Sequence, residues 1–98
     1  MTGCTVQRPG GVSIAVNDLG GDGPVVMLLH GLAGSSRELL PTAYALRGYR
    51  VLLVDQRGHG ASTRLPDDLS RGAFVGDVVT AIEELVPGRR ATLVGQSM

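Results

Sequence analysis

Two short runs in this chain, Val25–Leu29 (V-V-M-L-L) and residues 51–54 (V-L-L-V), contain no polar residue and no alternation, and each opens directly into a loop that contains glycine. A strand with one wet face alternates between apolar and polar residues, whereas an unbroken apolar run of this length suits a strand covered on both faces. Strands of that kind pair in parallel, and a parallel pair needs a crossover, usually a helix, between its members.

The segments around these runs supply the crossovers. Residues 12–16 (V-S-I-A-V) alternate with period two and lead into the turn-rich stretch 17–24, which predicts a half-buried strand followed by a turn. Ser35 and Ser36 are positioned to cap a helix that carries Leu39, Leu40, Ala43 and Leu46 and ends near Gly48; Pro41 then has to lie in its first turn, or the helix begins later than those serines. Ser70 opens a second helix with the stripe Phe74, Val78, Ala81, Ile82 and Leu85, stopped by Pro87 and Gly88 ahead of a last strand over 91–94. Strand, helix, strand, helix, strand predicts an α/β fold: a mostly parallel sheet with right-handed crossovers and helices on both faces. Residues 1–11 carry no such pattern and are expected to fray. The chain ends where a buried strand opens into a loop, so residues 1–98 are expected to be the N-terminal portion of one domain, truncated on its C-terminal side. In isolation, the 91–94 strand is expected to leave a bare apolar edge and limit solubility.

Composition removes several function classes. Zero formal net charge and 3% aromatic residues offer neither a phosphate footprint nor stacking platforms, so no nucleic acid is expected as partner. All nine basic residues are arginine. Without lysine there is neither a Walker-type phosphate loop nor Schiff-base chemistry. Cys4 is the only cysteine, which excludes an internal disulfide or a thiolate metal cluster. No run is long enough to span a bilayer and residues 1–11 do not read as a secretion signal; no membrane partner and a cytoplasmic location are expected.

Gly95-Gln96-Ser97-Met98 supplies the first four positions of G-x-S-x-G, the sharp strand-to-helix turn that lifts a serine hydroxyl above a sheet edge. A glycine followed by serine at a strand end also serves as a plain helix cap. His30-Gly31 at the end of the first buried run adds an independent signal, because the loop after it is suited to aiming a main-chain N–H at a developing oxyanion. The amides of Leu32 and Met98 are the candidate donors, and attack of Ser97 on a carbonyl would generate the charge they meet.

Taken together, V-V-M-L-L-H-G-L-A-G-S-S, V-L-L-V-D-Q-R-G-H-G-A-S and A-T-L-V-G-Q-S-M resemble the α/β-hydrolase superfamily over residues 25–98. The resemblance implies a serine nucleophile at Ser97 and an oxyanion hole from Leu32 and Met98. It also implies structural roles for His30, Gly31, Asp55, Arg57, Gly58 and Gly60. The family's acid and histidine come from later strands, so the C-terminal remainder of the same domain is the expected partner, and the 98 residues alone are expected to be inactive. The expected substrate is a small acyl compound (ester, thioester, lactone or activated carbonyl), with no cofactor and no metal. Serine at the elbow disfavours the haloalkane dehalogenase and epoxide hydrolase branches, which use aspartate there.

Simpler roles compete residue by residue. His30 and His59 read as loop-bracing histidines, Asp55 as a carboxylate that secures the following turn, and Arg57 as a holder of loop carbonyls. Asp67, Asp68, Glu83 and Glu84 read as solvated faces. Two other function classes stay open at this point: a dinucleotide-binding domain, with Asp55 near the position of a ribose-binding acid but without the G-x-G start, and a hydrolase-like scaffold that binds without turnover.

Overall fold

The computed structural model describes residues 2–96. Five strands form one sheet: β1 (Thr2–Arg8), β2 (Val12–Asp18), β3 (Val25–Leu29), β4 (Arg50–Val54) and β5 (Ala91–Gly95), in the spatial order β1-β2-β4-β3-β5. The two apolar runs take the interior of this order. β4 and β5 both pair in parallel with β3, bringing Leu52 and Leu93 opposite Met27. β2 joins antiparallel to β4 and to β1, so a parallel three-stranded part carries an antiparallel edge.

Period-two geometry splits each apolar run between two cores. Val25, Met27, Leu52 and Val54 face Val6, Ile14 and Val16 of the first two strands and Val78 and Ala81 of helix α2 (Arg71–Leu85). Val26, Leu28, Val51 and Leu53 face the opposite way, against Leu39 and against Ala43 of helix α1 (Leu40–Ala45). The two helices thus cover opposite faces, as the absence of alternation requires. Pro41 lies in the first turn of α1, where its missing N–H removes no helical bond. A 3₁₀ turn, Ser36–Leu39, precedes α1, and the expected serine cap does not form there: the Ser35 hydroxyl makes no capping bond, and Asp55 takes the Ser36 amide instead. Ser70 does cap α2, accepting from Ala73 N at 3.2 Å.

The N-terminal segment corrects the expectation of a frayed end. Residues 2–8 pair along their whole length with β2, and Val6 is 1% exposed in the core beneath α2. Its alternation is masked in the sequence because the outward positions are small or polar while only one side chain, Val6, is large, apolar and fully inward. At the other edge β5 pairs on one side only, and Leu93 and Val94 are 51% and 46% exposed. No helix of the described residues is long and apolar enough to cross a membrane.

Asp18 at the end of β2 binds Arg50 at the start of β4 (2.7 Å) and accepts from the Gly20 amide (2.8 Å). Burial opposes ionisation of Asp18, but these two bonds outweigh it and hold the carboxyl below the usual carboxylate range. A carboxyl depressed by folding contributes stability above its unfolded-chain value, and that contribution is lost as pH falls through the folded value. Asp18→Asn should therefore lower the urea midpoint at neutral pH and flatten its decline below about pH 4. Val6→Ala should cost about 2 kcal/mol by the same urea measurement, from two lost methyl groups and the cavity they leave. Thr5→Ala, on the exposed side of the same strand, should stay within about 0.5 kcal/mol of wild type.

Candidate active site

The carboxyl ends of β3 and β4 open into two loops, residues 30–34 and 55–64, whose buried polar groups bond mainly to one another. His30 is fully buried. Its Nε2 accepts from the Gln56 amide (2.9 Å), which fixes the tautomer with the proton on Nδ1, and Nδ1 donates to Gly31 O (2.8 Å). Gln56 returns a bond from its side-chain amide to His30 O (2.8 Å). With both ring nitrogens occupied, His30 braces its loop, as its position at a strand end led us to expect, and offers no free base.

Asp55 holds both loops at once. One carboxylate oxygen accepts from Ser36 N (2.8 Å) and the other from Ala61 N (3.0 Å), while Ser62 Oγ donates to Asp55 O and accepts from Ala15 N. Gly60 closes over this carboxylate with φ +53°; a Cβ at this position would overlap the carboxyl group of Asp55, so only glycine permits the approach. Since neither oxygen of Asp55 is free and the residue is 6% exposed, it is not available to a ribose.

Arg57 extends beneath the loop to α2. Its Nε and Nη2 bind the two oxygens of Asp77 at 2.7 Å each, and Nη1 donates to Asp68 O at 2.7 Å. Hydrogen bonding to Asp77 outweighs burial and holds the Arg57 guanidinium above its ordinary value. Arg8, from β1, binds the same carboxylate (2.9 Å) and Thr80 Oγ1 (3.0 Å). Its guanidinium crosses α2 at Gly76, where any side chain would collide with it.

His59 joins the two loops from above. Its Nε2 accepts from the Ala33 amide (3.1 Å), its Nδ1 bonds Arg57 O (3.0 Å), and its ring lies 4.8 Å from that of His30. Ala33, at φ +61°, is the only non-glycine described residue with positive φ. The adjacent Leu32 is 70% exposed, and its amide bonds no described residue. Leu32 and Ala33 line a cleft of about 690 Å³ with Gly58, His59, Arg64 and Phe74. Gln96, the last described residue of the chain, donates to Leu29 O at 3.0 Å. Ser97 and Met98, the two other expected site residues, lie outside the described residues.

Sequence reasoning assigned His30, His59, Asp55 and Arg57 to loop support and did not find Gln56, Ser62, Asp77 or Arg8. One signal existed: Asp77 lies four residues after Ala73 and four before Ala81, on the core-facing side of α2, where an unpaired carboxylate would be prohibitive. Gln56 and Ser62 carry no comparable mark.

Removing Asp77 strands Arg57 in a site where its side chain is 4% exposed. Asp77→Ala should cost about 3–5 kcal/mol in urea unfolding. Asp77→Leu with Arg57→Met should recover part of that loss, since the buried unpaired charge of Arg57 goes with it while Arg8, 20% exposed, keeps its bond to Thr80.

Comparison with known proteins fits this arrangement. A family model described as the alpha/beta hydrolase fold matches residues 24–98. The chain is 32% identical over 79 residues to 2-(acetamidomethylene)succinate hydrolase of Mesorhizobium japonicum, a match that covers 80% of this chain and 28% of that protein. Among solved structures it resembles a hydrolase from Pseudomonas aeruginosa (TM-score 0.87, 28% identity, 98% of this chain and 37% of that one). It also resembles an epoxide hydrolase from Vigna radiata (TM-score 0.82, 33% identity, 98% and 30%). The chain thus spans about a third of the length of these relatives. With its sheet order, its two linked loops and a family match over three quarters of its residues, the chain belongs to the α/β-hydrolase fold family.

Proposed function

We propose that this chain supplies the nucleophile and the oxyanion donors of a serine hydrolase. Ser97 is the nucleophile, and the amides of Leu32 and Met98 form the oxyanion hole. The observation that carries this reading is the free Leu32 amide on the wall of the cleft: its neighbour Ala33 is tied to His59, and Leu32 is left with no described partner. A second observation supports it. Gln96, one residue before Ser97, bonds Leu29, one residue before His30, so the strand leading to the nucleophile runs beside the strand leading to the oxyanion loop.

The chemistry is acyl transfer. The Ser97 hydroxyl attacks the carbonyl carbon of an ester, thioester, lactone or other activated carbonyl compound as a histidine takes its proton, and the tetrahedral oxyanion accepts from the two amides. Collapse expels the leaving group, which takes that proton, and water then releases the acyl group by the reverse sequence. Pre-aimed donors of this kind are worth roughly 2.7–4 kcal/mol each in the transition state. The histidine and its acid belong to a segment following Met98, in the order serine, acid, histidine, and the 98 residues without that segment are inactive. No cofactor or metal is required, the substrate is a small acyl compound, and the enzyme works in the cytoplasm. The hydrolase relative from Mesorhizobium favours hydrolysis over binding without turnover.

The complete protein should be labelled by a fluorophosphonate probe, with the adduct on the peptide that contains Ser97. Ser97→Ala should abolish labelling and lower 4-nitrophenyl butyrate hydrolysis by on the order of 10⁴ or more. A folded wild-type protein that resists the probe overturns the assignment.

A further inference from the structure

The cleft beside Leu32 is electrostatically one-sided. Two arginines line it, Arg57 and Arg64, and no aspartate or glutamate does so among the described residues. Arg57 is buried and has its guanidinium committed to Asp77 and to Asp68 O. Arg64 is not so committed: it makes no ion pair among the described residues, and its guanidinium has a single long bond, 3.5 Å to Gly60 O, while the residue is exposed at the cleft wall.

The backbone from which Arg64 projects is fixed. Thr63, immediately before it, donates its amide to Ser13 O (2.9 Å), accepts the Ser13 amide at its hydroxyl (2.9 Å), and receives the Gly58 amide at its carbonyl (2.7 Å). A long cationic side chain on a mobile loop is an ordinary solubilising feature; one rooted in a triply bonded position, on the wall that also carries a free main-chain donor, is pre-positioned for a ligand. Among the described lining residues, Arg64 is the one exposed guanidinium outside an ion pair, and this sets the ligand's chemistry. A guanidinium fork matches a carboxylate with two parallel bonds, and one such group balances a monoanion, whereas a phosphate dianion would call for a second cation that this wall does not provide.

We propose that Arg64 is the carboxylate-binding residue of this cleft, so that the acyl part of the substrate carries a free carboxylate in addition to the carbonyl that is attacked. The inference rests on the serine hydrolase reading for its catalytic consequence but not for the binding site itself. The cleft then discriminates by charge: an anionic acyl chain is drawn in and oriented by Arg64 with its carbonyl toward Leu32, and a neutral chain of equal length lacks that anchor. Phe74, on the same wall, provides apolar surface for the intervening methylenes.

Two measurements on the complete protein test this. The first compares 4-nitrophenyl hemisuccinate with 4-nitrophenyl butyrate, which present an anionic and a neutral acyl chain with the same leaving group. Arg64→Gln should lower the ratio of kcat/KM for the hemisuccinate over that for the butyrate roughly tenfold, chiefly through KM, and Arg64→Lys should recover part of it, since a point charge lacks the fork. A ratio unchanged in Arg64→Gln overturns the proposal. The second measurement is independent of turnover: succinate should bind the wild type by calorimetry more tightly than dimethyl succinate does, and Arg64→Gln should abolish the difference. If wild-type protein hydrolyses neither ester yet binds succinate through Arg64, the hydrolase reading fails and the carboxylate site stands. Equal binding of succinate and its dimethyl ester to the wild type overturns the site.

Discussion

The reciprocal bonds between His30 and Gln56 fix the edge on which the candidate site is built. β3 and β4 are covered on both faces, so the chain leaves them while still out of reach of water, and every main-chain group there needs a partner. The parallel ladder ends at Leu29 and Val54. Just beyond it the His30 ring takes the Gln56 amide and the Gln56 side chain takes the His30 carbonyl, so two side chains continue the work of the ladder for one further step. Each buried donor or acceptor left unmet at such a point costs about 1–3 kcal/mol, which locks the two loops to each other as firmly as the strands beneath them. Asp55 and His59 then extend the lock outward to Ser36, Ala61 and Ala33. The Leu32 amide is left over at the end of this chain of satisfied groups, without a described partner on a residue that lines the cleft.

The second constraint is ionic and ties the same loop to distant parts of the chain. Asp77 gathers Arg57 from the loop and Arg8 from the first strand, 20 and 69 residues away respectively. Buried ion pairs give uncertain net stability, because desolvation offsets attraction, but they penalise any arrangement that leaves one partner alone. Two arginines on one carboxylate therefore specify that β1, α2 and the 55–64 loop dock in one relative position. The short side of α2 at Gly76 belongs to the same device, since it opens the path along which Arg8 reaches across.

Much of this was legible in the residues. Continuous apolar runs gave the two-sided strands, and glycine-bearing loops after each of them marked the edge that carries the candidate site. The supporting roles of His30, His59, Asp55 and Arg57 followed from the ordinary behaviour of those side chains at strand ends. What escaped were interactions between positions far apart in sequence that share no periodic signal. β1 went unread because a single inward valine does not make a pattern. Gln56 and Ser62 act through bonds that any polar residue of similar size advertises equally. The expected serine cap does not form at Ser35, and the turn it was to cap is instead tied to the second loop by Asp55 through the Ser36 amide, a contact between distant positions that local propensity does not contain.

The fold family itself leaves the chemistry open. Proteins that share this arrangement of strands with TM-scores of 0.82 to 0.87 include an epoxide hydrolase, and the same sheet edge thus accommodates different reactions. The described residues supply two braced loops, a Leu32 amide without a described partner and a cleft, and none of these by itself specifies a reaction. Under the proposed serine hydrolase chemistry, the choice between reactions falls to the residue type at position 97 and to the charge of the cleft wall. There a hydroxyl at position 97 would generate its oxyanion on the substrate carbonyl, where main-chain donors can meet it, whereas a carboxylate nucleophile would release its charge on the oxygen it displaces. In that chemistry the serine at position 97 and the arginine at position 64 are the two residues through which this member of the family would acquire a reaction of its own.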